Sequence, residues 1–198
     1  MEIICGIDFG AKLAGTTSIA YLIENKVIIS ISEKKKDADK FLIESINDCK
    51  PSIVFIDAPL SLPIVYSTGA ENDYFYRQCD KELSAMSPMF LGGLTARAMK
   101  LKFLLEDKNI VIKESYPAQL VKELSLESSY LKKTNNYDNF LSAISNQYLK
   151  FEIELNDQQT NNLNWHKIDS LLALLSAIRF KNNLSKSYGT IAEGIITI

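Results

Sequence analysis

The sequence predicts an α/β protein: a mixed five-stranded sheet, made of a three-strand meander plus two parallel strands, with helices on both faces. Three observations carry this. Three β-prone runs follow one another at the N-terminus with only turns between them. Two further short apolar runs come later, each leading into an acidic residue. Stretches with helical spacing precede and separate those two runs, and helical crossovers between strands of one sheet make the strands parallel.

The first strand is Ile3 to Ile7, ending at Asp8, with Gly10 and Gly15 in the turn that follows. Thr16 to Ile23 returns beside it, and Lys26 to Glu33 follows after the tight Glu24-Asn25 connection. Asp37 to Cys49 carries Ala38, Phe41, Leu42 and Ile46 at helical spacing. Pro51 breaks the chain, and Ser52 to Ile56 is a nearly all-apolar strand of the kind buried on both faces. It stops at Asp57-Ala58-Pro59.

Leu60 to Pro88 is the least regular stretch, expected as a long loop with a short helix over about Asn72 to Ser84. A loop of that length is usually functional, and a cover over the site is the expected role. Leu94 to Glu106 is a helix after Gly92-Gly93, with Asn109 as its stop. Ile110 to Ile112 is the fifth strand and runs into Lys113-Glu114-Ser115-Tyr116-Pro117. Pro117 opens a helix to Leu124, since proline suits a first helical position. Ser125 to Asn136 reads as loop, Tyr137 to Leu149 as helix, and Asn156 to Asn164 as polar connection. Trp165 to Phe180 is the strongest helix, and the tail from Thr190 to Ile198 suggests a terminal edge strand.

A chain of 198 residues, 46% hydrophobic and 23% charged, suits one globular domain over 1–198 with no linker or internal repeat. The formal net charge of −2 supplies no strong basic field for nucleic acid. The lysine groups Lys34-Lys35-Lys36, Lys100 with Lys102, and Lys132-Lys133 are candidate nucleic-acid footprints, with a solvated face as the plainer reading of each. Cys5, Cys49 and Cys79 are odd in number and lack zinc or disulfide spacing, which fits a reduced interior. With no signal-like N-terminus and no apolar run near the ~18 residues of a membrane span, a cytoplasmic protein without membrane contact is expected.

Asp8, Asp57 and Glu114 share one placement, the C-terminal end of an apolar strand. In parallel sheets sites form at that edge. Three carboxylates gathered there repel unless a cation lies between them, and all-oxygen ligation suits Mg²⁺ or Mn²⁺. Asp169 heads a packing stripe with Leu172, Ala173 and Ser176, which would aim a fourth acid at the same place. His166, the sole histidine, stands one turn before it as a proton carrier or substrate contact. Taken singly, each has a plainer reading: a turn residue for Asp8, a strand stop for Asp57, surface for Glu114, and a dipole-favoured or exposed group for Asp169 and His166.

The motifs Gly6-Ile7-Asp8, Phe55-Ile56-Asp57-Ala58-Pro59-Leu60 and Arg77-Gln78-Cys79-Asp80 occur in that order. Glu114-Ser115-Tyr116-Pro117, Asp169-Ser170-Leu171-Leu172-Ala173 and Glu193-Gly194-Ile195 complete the series. In this order the chain resembles the ribonuclease-H-like superfamily, and more narrowly the predicted nucleases of domain-of-unknown-function family four-twenty-nine. The likeness spans nearly the whole chain. It departs in having Ser170 for an alanine. The resemblance implies metal-dependent hydrolysis of phosphodiester bonds in a nucleic acid, RNA or DNA. Asp8 would bridge two Mg²⁺ or Mn²⁺ ions about 3.5–4 Å apart, with Asp57, Glu114 and Asp169 completing the ligation. Arg77, Lys12 and Asp80 are the expected substrate contacts, with surface charge as the plainer reading of the two bases.

Two rival readings are open at this point. Asp8-Phe9-Gly10 followed by Gly15-Thr16-Thr17 resembles the first phosphate loop of sugar kinases and actin-like ATPases, although no later Asp-x-Gly turn follows. A non-catalytic binding protein on the same fold would suit the acidic balance. The sequence is silent on oligomeric state.

Overall fold

The computed structural model describes residues 2–69, 73–106, 108–134, 136–148, 152–156 and 162–198. The β-branched runs near the N-terminus form the meander: β1 (Ile4–Asp8), β2 (Ser18–Ile23) and β3 (Lys26–Ile31), paired antiparallel in sequence order. Helix α1 (Ala38–Cys49) begins where the Asp37 carboxylate accepts the backbone N–H groups of Asp39 and Lys40. It crosses over to β4 (Ile53–Asp57), which lies parallel to β1.

Three short helices, α2 (Val65–Thr68), α3 (Gln78–Leu83) and α4 (Pro88–Leu91), occupy the irregular stretch. The helix expected over about 72–84 is confined to α3, and residue 72 lies outside the described residues. Then follow α5 (Gly93–Glu106), β5 (Val111–Glu114), α6 (Pro117–Glu123), α7 (Tyr137–Gln147) and β6 (Glu152–Leu155). Helix α8 (Trp165–Lys181) and the hairpin of β7 (Ser187–Thr190) with β8 (Gly194–Thr197) close the chain. Residue 149, the expected end of α7, and residues 157–161 of the expected polar connection lie outside the described residues, as does residue 135 of the loop before α7.

The fold is α/β, but the expected five strands are corrected to eight, ordered β6-β3-β2-β1-β4-β5-β8-β7. β6 alternates Glu-Ile-Glu-Leu over only four residues, too short a period to stand out in the sequence. The C-terminal run expected at the sheet edge is instead β8, inserted parallel to β5, and the weaker Ser-Tyr-Gly-Thr run is the edge.

Strand alternation divides the core between the two faces. Cys5, Ile7, Ile19, Val54 and Ile56 pack with Leu42 and Ile46 of α1 and Ala98, Leu101 and Leu105 of α5. Ile4, Ala20, Ile53 and Phe55 pack on the other face against α8, with α6 and α7 behind. Helix α8 lies so close to β1 that a Cβ on Gly6 would meet the Leu174 backbone N at 2.0 Å and the Ser170 carbonyl O at 2.4 Å. Only glycine permits that approach. Among the described residues no helix is long and apolar enough to cross a membrane.

Candidate metal centre

Asp8 and Asp57 are register partners at the ends of adjacent parallel strands β1 and β4. Each follows its strand's alternation, so both side chains stand on the face that carries Gly6 and Phe55, beneath α8. Asp169, in the first turns of α8, meets them there because Gly6 lets the helix down onto β1. The three residues offer carboxylate oxygens all within 4.8 Å of one another.

Ser170 helps seat the helix. Its hydroxyl lies 3.0 Å from that of Ser18, the β2 residue in register with Asp8, and donates to the Lys167 carbonyl at 2.8 Å. Ser170 thus has a local packing role.

The polar partners of the three acids are unequal. His166 Nδ1 lies 2.7 Å from Asp8 Oδ2. Tyr130 and Lys132 each donate to one oxygen of Asp169. Asp57 accepts no hydrogen bond from any described residue. Burial, then the charges of Asp8 and Asp169, push its carboxyl well above the usual range. Burial also lifts Asp169, to about 6, despite the nearby Lys132 ammonium. The hydrogen bond to Asp8 raises the His166 pKa against the effect of burial. Three crowded carboxylates, one of them without a donor, form a hard, oxygen-only set that fits a divalent cation.

Comparison with known proteins adds little. No family model matches the sequence, and no curated protein matches it. A solved structure of RuvC from Thermus thermophilus is similar, with a TM-score of 0.47 and 14% identity over 94% of this chain and 98% of that one. The site is therefore read from its own geometry.

Glu114, expected as a fourth ligand, is not brought to the other acids. It is in register with Ile56 rather than with Asp57, so its side chain leaves the sheet on the opposite face, as does Ile112 two residues before it. There it meets Arg77, a fully buried guanidinium. Arg77 Nη1 and Nη2 donate to the two Glu114 oxygens at 2.7 Å each. Nε and Nη2 donate to Asp80 at 3.0 and 2.7 Å, and Nη1 also donates to the Ser61 hydroxyl at 2.9 Å. These bonds use all five guanidinium N–H donors. Burial alone would lower the Arg77 pKa, but Glu114 and Asp80 hold it above its ordinary value.

The expected phosphate contact by Arg77 is corrected on the same ground: no donor is left, and both Arg77 and Asp80 are closed off from solvent. Lys12 pairs instead with Asp37 at 3.1 Å, at the start of α1.

Of the residues at the site, Tyr130 was not singled out in the sequence, and Lys132 only as one of a lysine pair. The loop bearing them is held by aromatic packing, with Tyr130 5.3 Å from Trp165 and 5.2 Å from Phe140 between ring centroids. Trp165 Nε1 also donates to the Thr134 carbonyl at 2.9 Å. The sequence signal was faint: one aromatic in a polar loop, followed by a lysine pair that reads as solvated surface.

Proposed function

We propose that this protein is a divalent-metal-dependent nuclease on a ribonuclease-H-like fold, in a single domain over residues 1–198, akin to the predicted nucleases of family four-twenty-nine. The observation that carries the reading is the meeting of Asp8, Asp57 and Asp169 within 4.8 Å, drawn from two strand ends and a helix. Asp8, Asp57 and Asp169 would hold Mg²⁺ or Mn²⁺. Such ions, when bound, activate water and stabilise the leaving oxygen of a phosphodiester.

The remaining roles belong to the chain's own groups. His166 is kept in the tautomer with the proton on Nδ1 by its bond to Asp8, which leaves Nε2 at a partly exposed ring to take or give a proton. Lys132 pairs with Asp169, and with a metal bound to that acid it would be available for a phosphate oxygen. Glu114, Arg77 and Asp80 act one step back, as a buried brace between β5 and the stretch that contains α3. Three free cysteines, two of them buried, suit a reducing compartment, and the reading includes a cytoplasmic location.

Thermal unfolding followed during Mn²⁺ titration tests the proposal. A site that binds only the folded chain adds about 2.7 kcal/mol at one hundred times Kd, and Asp57→Asn should remove that gain. Cleavage is then assayed on RNA, single-stranded DNA and branched DNA with Mn²⁺ and with chelator. Absence of any Mn²⁺-dependent shift in the wild type would sink the nuclease reading.

A further inference from the structure

Beside the acids, at the same edge of the sheet, lies a recess of about 240 Å³ for which the proposed chemistry has no use. Asp57 belongs to its lining, so the recess and the metal centre share a wall. The rest is largely apolar: Phe9, Pro59, Met86, Leu91 and the ring of Tyr116. The buried Arg77–Asp80–Glu114 cluster also lines it. Because every Arg77 donor is already bonded to Asp80, Glu114 or Ser61, that cluster lends the recess no free positive charge. A phosphate placed here would be unpaired in an apolar site, which is costly. An uncharged, flat, mostly apolar group suits it. The volume is below the range of about 300–1,000 Å³ typical of drug-sized ligands, leaving room for one ring system.

We infer that this recess takes a single nucleobase of the substrate, the base next to the phosphodiester held at Asp8, Asp57 and Asp169. This rests on the nuclease reading and names its substrate class: a strand whose nucleotide at the cut is unpaired. The sugar joins base and phosphate within one nucleotide, which is the reach the shared Asp57 wall requires. A base inside a duplex is held in its stack and reaches such a pocket only by flipping out, at a cost of a few kcal/mol. Single-stranded substrates avoid that cost. Contact of a base with aromatic and apolar side chains is worth about 1–3 kcal/mol, or roughly 5- to 150-fold in affinity.

The experiment compares Mn²⁺-dependent cleavage of a single-stranded oligonucleotide, its full duplex, and the same strand made abasic beside the cut bond. Wild type should cut the intact single strand at least tenfold faster than either of the others. The variant Leu91→Trp, which fills the recess, should bring the intact-to-abasic rate ratio close to one. Ala85→Phe, at another lining residue, gives a second filling variant in case the first misfolds.

A binding measurement runs beside it: adenosine 5′-monophosphate against ribose 5-phosphate, by calorimetry with Mn²⁺. The nucleotide should bind at least tenfold more tightly, and Leu91→Trp should erase the difference. If cleavage occurs but ignores the missing base, the nuclease reading stands and the pocket assignment is overturned. If nothing is cut, the nuclease reading falls and the binding ratio alone decides for or against a base in the recess.

Discussion

At the scale of single residues, the three-acid site is a place where the folded chain holds charge it would rather not hold. The Asp169 carboxyl rises from an ordinary 3.8 to about 6, burial being the main cause. The folded state therefore keeps a proton that the unfolded chain releases, and stability falls as pH rises between those two values. At about 1.36 kcal/mol per pKa unit the full cost is about 3 kcal/mol above pH 6. Asp169→Asn carries no such cost. Its stability relative to wild type, measured by urea unfolding in metal-free buffer, should improve by about 2 kcal/mol between pH 4 and pH 7, and a flat difference would contradict the burial argument. Mn²⁺ should shrink that difference at pH 7, because only the wild type gains from the ion. The individual acids were legible in the sequence because each ends an apolar run or heads a packing stripe. Tyr130 and Lys132 were not, since they reach Asp169 through a loop whose path depends on the packing of Trp165 against Tyr130 and Phe140.

At the scale of elements, register decides which acids meet. Asp57 pairs with Asp8, whereas Glu114 pairs with Ile56, one position earlier, and one position in a strand moves a side chain to the other face. A strand-end acid is visible in a sequence; its parity against the neighbouring strand is set by the pairing and is not. That is why four carboxylates seemed to converge from sequence, while three do. Glu114→Gln tests the distinction. Removing one partner of a buried ion pair costs about 3–5 kcal/mol, so denaturant unfolding should show a loss of that order, whereas the Mn²⁺ dissociation constant should stay within about threefold of wild type. A folded Glu114→Gln protein that no longer binds Mn²⁺ would return Glu114 to the ligand set. Gly6→Ala probes the contact between α8 and β1. Its Cβ would stand 2.0 Å from a backbone nitrogen, which no rotamer change relieves. Overpacking of this kind costs about 1–3 kcal/mol or more. Because the shift lifts Asp169 from Asp8 and Asp57, Mn²⁺ affinity should fall by at least tenfold in whatever protein remains folded.

At the scale of the whole molecule, the order of the central strands followed from the spacing of apolar runs and helical stretches, but the sheet's outer strands did not. β6 and β7 are four residues each, too short for local pattern to mark them, whereas the tail was legible as a strand but not as one inserted beside β5. The same scale governs how a chain of net charge −2 approaches a polyanion. Nucleic-acid affinity normally comes from neutralising phosphates with Lys and Arg, and it is steeply salt-dependent. Here the site itself is acidic, and the cation nearest to it, Lys132, is engaged by Asp169. On the proposed nuclease reading, attraction would come from bound metal ions, which would change the sign of the local field and release Lys132. Fluorescence anisotropy of a labelled single strand should show at least tenfold weaker binding in chelator than in Ca²⁺ or Mn²⁺. Under metal the slope of log affinity against log salt should be shallow, about −1 to −2, as for contact with two or three phosphates of a single strand. A steep slope that persists in chelator would instead mean a basic surface elsewhere on the fold that carries the strand without the acids.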